Sequence, residues 1–266
     1  MSAKITVKKL QKMKQSGDKI TMLTAYDAGF ARILDQQSVD VILVGDSLGM
    51  VVQGSDSTVS VTMDEMVYHT KMVSPVCKYS LVLGDLPFMS YTSIVDAIKN
   101  SARLMQEGGA HMVKLEGGES QIENVSQLSR HGVPVCAHLG LQPQSVHKLG
   151  GYFVQGRDQK VADKMLNDAL FLQDAGADMV LLECVPVTLA GKITQALEVP
   201  TIGIGAGRVC DGQVLVLQDM LGISDKAPSF SQDFLMGQSK GISGAVAAYV
   251  ESVKSQSFPS DEQCFI

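Results

Sequence analysis

Six ionisable residues close successive apolar runs of the chain: Asp46, Asp85, Lys114, Glu116, His138 and Glu183. Burial makes charged side chains rare in such places unless they are paired or bind a metal. Asp46, Asp85 and Glu116 come from three successive runs and should converge on one rim. Three hard oxygen donors with spare room suit Mg2+, which keeps waters and accepts substrate oxygens. For any single Asp, capping the following helix is an equal alternative; the three together favour a shared site. Lys114 and Glu116 lie two apart in a strand and share a face. One can ligand the metal while the other sets a cation over developing negative charge, or the two form a structural ion pair. Glu183 closes an apolar run, where burial raises a carboxylate pKa toward the range of a general base; a salt bridge is its alternative. His138 either contacts substrate or is a hydrogen-bonded structural histidine. The remaining histidines show no zinc spacing.

The elements that must position these groups alternate in type. Apolar runs lie at 20–26, 40–45, 80–84, 110–115, 133–137, 178–183, 199–204 and 214–217. Helical spacing occupies 64–76, 93–106, 122–130, 161–174 and 187–197 between them. Alternating β-like runs and helices imply parallel pairing with right-handed crossovers, and near-continuous apolar strands fit a sheet buried on both faces. This predicts an α/β chain folded as a single eight-stranded (β/α)8 TIM barrel. Its active site then lies at the C-terminal strand ends. Those ends read Tyr26-Asp27, Asp46-Ser47, Asp85, Lys114 to Glu116, His138, Glu183 and the loop 203–207. The stretches "EGGAHMVKLE" and "DAGADMVLLE" share one layout, a helix-ending glycine followed at once by a strand. The G-x-G-x-G run at 203–207 lacks the spacing of a dinucleotide fingerprint, so close backbone passage near a ligand is the better reading.

Composition narrows the class. The 266 residues carry a net charge of −6 and no basic block, which argues against nucleic acid as a partner. Hydrophobic residues make up 45% of the chain and charged residues 19%. A sizeable core is therefore available and disorder is not expected. The apolar runs are too short to span a bilayer. Five cysteines without a C-x-x-C pair favour a reducing compartment over a disulfide framework. The Lys-rich start reads as a short amphipathic first helix with a solvated Lys face. A final helix is expected at 244–255, followed by a loose polar end. No linker divides the chain, so residues 1–266 are expected to form one domain.

The strand-end residues also resemble a known family, ketopantoate hydroxymethyltransferase. The likeness is carried by "TAYDAGFA" at 24–31, "VGDSLGMVVQGSDST" at 44–58, "DLPFMSY" at 85–91 and "MVKLEGG" at 112–118. It continues through "PVCAHLGLQPQSV" at 134–146, "GGYFVQGR" at 150–157, "LLECVP" at 181–186, "PTIGIGAG" at 200–207 and "DGQVLV" at 211–216. The resemblance implies a barrel of the phosphoenolpyruvate/isocitrate lyase type. It implies Mg2+-dependent transfer of a one-carbon unit from 5,10-methylenetetrahydrofolate to 3-methyl-2-oxobutanoate, giving 2-dehydropantoate for pantothenate synthesis. It further implies a cytoplasmic homodecamer of paired pentamers. Carried over by residue, Asp46, Asp85 and Glu116 match the metal-associated carboxylates. Asp46, Ser47, Asp85 and Lys114 match the ketoacid-binding positions, with His138 beside them. Glu183 matches the proton acceptor.

Two stretches depart from the family pattern. "KMVSPVCKYS" stands where relatives carry Arg-Gly, and "KAPSF" has Ser229 where a basic residue is usual; both bear only on rim contacts. Two rival readings stay in view. A related 2-oxo acid lyase or phosphonomutase would share the metal and enolate chemistry, but its K-x-C-G-H-type loop is missing from the sequence. A non-catalytic ketoacid-binding barrel would have no use for a base.

Overall fold

The structure is a computed structural model and describes residues 3–266. Eight strands close into a barrel in sequence order: β1 Ile20–Thr24, β2 Val41–Val44, β3 Leu81–Asp85, β4 Met112–Glu116, β5 Val135–Gly140, β6 Met179–Glu183, β7 Thr201–Ile204 and β8 Gly212–Leu215. Every adjacent pair is parallel, including β8 back onto β1. All residues of β1 to β4 are buried, as a sheet covered on both faces requires. Register sets the chemistry: Asp85 stands opposite Lys114, and Glu116 opposite His138.

The expected helices appear at Met63–Val73, Ile94–Gln106, Ile122–Arg130, Gln159–Asp174 and Val187–Ala196. The shared glycine layout is explained by backbone geometry. Gly109 and Gly176 take φ of 78° and 104°. These are left-handed values, which end a helix without strain only at glycine. The last strand begins two residues before its apolar run. At Gly212 an added Cβ would lie 2.4 Å from the Ile20 carbonyl oxygen, so a side chain there would break the closing pair.

Three expectations are corrected. In the first helix, Val7–Ser16, Lys8, Lys9 and Lys12 face solvent, but Lys14 turns in to Asp211 at 2.7 Å. Asp27 does not join the site. Its Oδ1 accepts from the Gly29 and Phe30 N–H groups and caps the helix Ala28–Gln36. The end after the helix Gly241–Lys254 is not loose. Phe258 packs edge-on against Phe234 and Tyr249, and the Val187 N–H donates to the Phe265 carbonyl. Isolated aromatic anchors in a polar stretch leave no periodic signal. All five cysteines are free thiols; four are buried and Cys264 is half-buried.

Candidate active site

Asp46, Asp85, Lys114, Glu116, His138 and Glu183 all line one cavity of about 1160 Å3 at the C-terminal mouth of the barrel, with Ser47 at its edge. The strand ends that carried these residues in sequence thus meet in space. Asp46 and Ser47 follow β2, where the chain turns into the short helix Leu48–Val51. Neither caps that helix by its side chain. The Ser47 hydroxyl instead contacts the Tyr26 hydroxyl at 2.9 Å.

Lys114 Nζ lies 3.1 Å from Asp85 Oδ2 and 3.9 Å from Glu116 Oε1. Burial opposes its charge, but Asp85, Glu116 and Asp46 outweigh burial and hold the ammonium above its ordinary pKa. Asp85 Oδ2 also accepts from the Asp46 N–H at 3.1 Å. The Asp46 carboxyl is pushed well above the usual carboxylate range, first by burial and then by repulsion from Asp85 and Glu116. His138 sits between two carboxylates, Nδ1 3.4 Å from Glu116 Oε1 and Nε2 3.3 Å from Glu183 Oε2. Burial and the Lys114 charge disfavour the imidazolium, yet the two glutamates prevail and lift His138 to about 9. The approach of Nε2 to Glu183 is close but lacks hydrogen-bond geometry. Glu183 keeps 16% of its side chain exposed, less enclosed than its apolar run suggests. The next residue, Cys184, has a φ of 48° and turns the chain sharply away. That value is strained for a non-glycine residue.

Two further residues organise the site. The Gln144 side-chain amide donates to Asp46 Oδ2 at 2.8 Å and to the Leu86 carbonyl at 2.9 Å, while its backbone N–H donates to Glu116 Oε2 at 3.1 Å. Tyr91 donates its hydroxyl to Gln144 Oε1 at 2.5 Å. Both lie in loops beyond strand ends, outside the apolar runs. The turn at Pro143, directly before Gln144, was the available signal.

The donor set fits a divalent cation. At the strand ends Asp46, Asp85, Glu116 and Glu183 stand with Lys114 and His138, and the rest of the wall adds Asp56, Asp219 and Asp225 against Arg157 and Lys226, leaving surplus negative charge. Asp85 Oδ1 is buried without a hydrogen-bond partner, and Glu116 Oε1, though 3.4 Å from His138 Nδ1, makes no well-formed hydrogen bond. Such orphaned acceptors are costly unless something positive meets them. Among the described residues, no three His, Cys, Asp or Glu side chains enclose an ion by themselves. Two adjoining carboxylates with open positions are what Mg2+ takes, since it retains waters and binds substrate oxygens.

Comparison with known proteins gives the family and the fold. A sequence profile described as ketopantoate hydroxymethyltransferase matches residues 4–261. A 3-methyl-2-oxobutanoate hydroxymethyltransferase of Nitrosococcus oceani is 60% identical over 257 residues, which is 96% of this chain and 97% of that protein. Among solved structures, 2,3-dimethylmalate lyase, a PEP mutase/isocitrate lyase superfamily member, superposes with a TM-score of 0.58 at 14% identity, covering 96% of this chain and 98% of its own. Phosphonopyruvate hydrolase in complex with oxalate and Mg2+ gives 0.60 at 10% identity over 80% of each chain. These two share the fold. The sequence matches go further: the chain belongs to the ketopantoate hydroxymethyltransferase family.

Proposed function

We propose that the chain, acting as one barrel domain, transfers a hydroxymethyl group from 5,10-methylenetetrahydrofolate to 3-methyl-2-oxobutanoate. The product is 2-dehydropantoate, a precursor of pantothenate. The observation that carries this reading is the cavity floor, where the charged Lys114 and the adjoining Asp46 and Asp85 line the same cavity as the partly exposed Glu183.

Asp46 and Asp85 would hold Mg2+, with Glu116 behind them, and the bound ion would supply Lewis-acid stabilisation of an enolate. Ser47 is within reach of the ketoacid at the same edge of the cavity. Glu183 takes the proton from C3, and the C–H electron pair moves into the enolate. Lys114 stabilises the negative charge that develops on oxygen. His138, between Glu116 and Glu183, keeps the base turned toward the cavity. C3 then bonds to the methylene carbon as that carbon's bond to one folate nitrogen breaks. Water supplies the hydroxyl as the second C–N bond breaks, and the proton held by Glu183 and the remaining proton of water pass to the two nitrogens of the departing tetrahydrofolate.

Proton NMR of 3-methyl-2-oxobutanoate in D2O tests the first step. Metal-dependent loss of the C3–H signal, abolished by EDTA, is expected. No exchange by folded protein under either condition overturns the reading and favours a ketoacid-binding barrel. The same reading makes the chain a cytoplasmic homodecamer of paired pentamers. Sedimentation velocity reads the mass of such an assembly. Among the described residues, no helix is long and apolar enough to cross a membrane.

A further inference from the structure

The cavity is far larger than its charged floor. Its volume of about 1160 Å3 exceeds the roughly 300–1,000 Å3 of ordinary small-molecule pockets, and a five-carbon ketoacid fills only the part near Lys114. Above the floor, on the β7 side, the wall is built by Phe230 and Phe265. Their ring centroids lie 6.3 Å apart with the planes at 80°. This is the edge-to-face arrangement that aromatic pairs favour.

Gly205, just past β7, lets both rings reach the backbone. It has a φ of 60°, and an added Cβ would come within 2.8 Å of Phe230 and 3.0 Å of Phe265. At Gly205 the close neighbours are the chain's own aromatic residues rather than the ligand that the glycine run led one to expect. The two phenylalanines come from segments distant in sequence, and hydrogen bonds and an ion pair tie the later segment to the earlier one and to the barrel. The Val187 N–H donates to the Phe265 carbonyl at 2.9 Å. The Gln263 amide donates to the Ser231 carbonyl at 3.2 Å, and Arg208 pairs with Asp261. Tyr152 and Phe153 line the same cavity, and each is about half exposed, 48% and 58%. Phe230 is 9% exposed and Phe265 half-buried, so the wall they make is fixed by packing, while the open ring surface of the cavity is that of Tyr152 and Phe153. Phe230 and Phe265 carry no polar group for the chemistry at the floor.

We infer that Phe230 and Phe265 form the wall against which the flat heteroaromatic ring of the second substrate lies, and that the segment 256–266 is what positions that wall. The inference rests on the function proposed above. A reduced pteridine has apolar faces and polar edges, the shape that aromatic side chains bind. Held there, its one-carbon unit stands above the ketoacid on the Glu183 side. Phe265 is thus a positioning and specificity residue for the second substrate, not for the first.

The test is Phe265→Leu, which keeps apolar bulk and removes the ring, with Phe265→Tyr as the conservative control. The KM for methylenetetrahydrofolate and the calorimetric Kd for tetrahydrofolate are expected to rise about tenfold in Phe265→Leu and to recover in Phe265→Tyr. The KM for the ketoacid and its C3–H exchange rate should hold within about twofold, since neither uses that wall. Unchanged folate constants in folded Phe265→Leu would overturn the inference. Equal loss of exchange and folate binding would overturn it too, because the residue would then serve the floor or the fold. If the unaltered protein binds tetrahydrofolate but does not exchange C3–H, the proposed reaction fails while the wall stands. If the unaltered protein binds no tetrahydrofolate, the wall fails.

Discussion

Carboxylates gather at both ends of the barrel, and the two groups are built differently. At the N-terminal strand ends, Asp40 Oδ2 accepts from the Thr21 N–H and hydroxyl and from Lys254 at 2.6 Å, while Oδ1 accepts from Tyr79. Asp211 Oδ2 likewise accepts from the Thr201 N–H and hydroxyl and from Lys14. None of these oxygens is left buried and unpartnered. At the C-terminal ends, Asp85 Oδ1, Glu116 Oε1 and His138 Nε2 are buried with no hydrogen bond. One end has satisfied its polar groups and holds strands in place. The other keeps open valences where a cation and substrate can enter. Strain and unmet polar groups collect where function requires them.

Substitutions at the two ends should therefore separate activity from stability. The largest expected effect is at the mouth. Glu183→Gln should slow C3–H exchange by about 10²–10⁴-fold, the range for a positioned base, while the melting temperature hardly moves. Asp40→Ala should do the reverse. It strands the Thr21 N–H and the Tyr79 hydroxyl and should lower stability by roughly 3 kcal/mol in urea titration, with exchange per folded molecule unchanged. Asp46→Asn sharpens the contrast. It removes one of three mutually repelling carboxylates and should stabilise the metal-free protein by about 1 kcal/mol while abolishing any rise in melting temperature on adding Mg2+.

The smallest effect is read in pH. His138 is lifted to about 9, above the ordinary value of about 6.5. Its stabilising contribution is complete below about 6.5 and is lost as pH rises through about 9. The raised Asp46 carboxyl acts in the same direction. Metal-free protein should therefore melt progressively lower across that window, and His138→Gln should flatten the upper part of the curve. A flat curve for the unaltered protein would show that the two ends are electrostatically alike.

Much of this asymmetry was legible in the sequence. Ionisable residues at apolar run ends located the mouth, and parallel register did the rest, because adjacent strand ends must lie side by side. The residues that escaped notice act through single long-range contacts. Gln144 reaches Asp46 across 98 positions, and Tyr91 reaches Gln144 across 53. Phe265 anchors the mouth from a polar segment. Helical periodicity places Lys14 in solvent because it describes a face, not the one residue on it that finds a buried Asp211. Periodic burial is a local signal; a lone hydrogen bond or ring contact is not.

The cysteines described above bear on how the molecule can be watched. Burial pushes the thiols of Cys77, Cys136, Cys184 and Cys210 up to about 12, so at neutral pH almost none is in the thiolate form that attacks electrophiles. Cys264 is the least enclosed of the five, and it directly precedes Phe265. A maleimide dye would couple there first, without any engineered cysteine, and would report by its colour and lifetime on the seam where the end of the chain meets the barrel mouth.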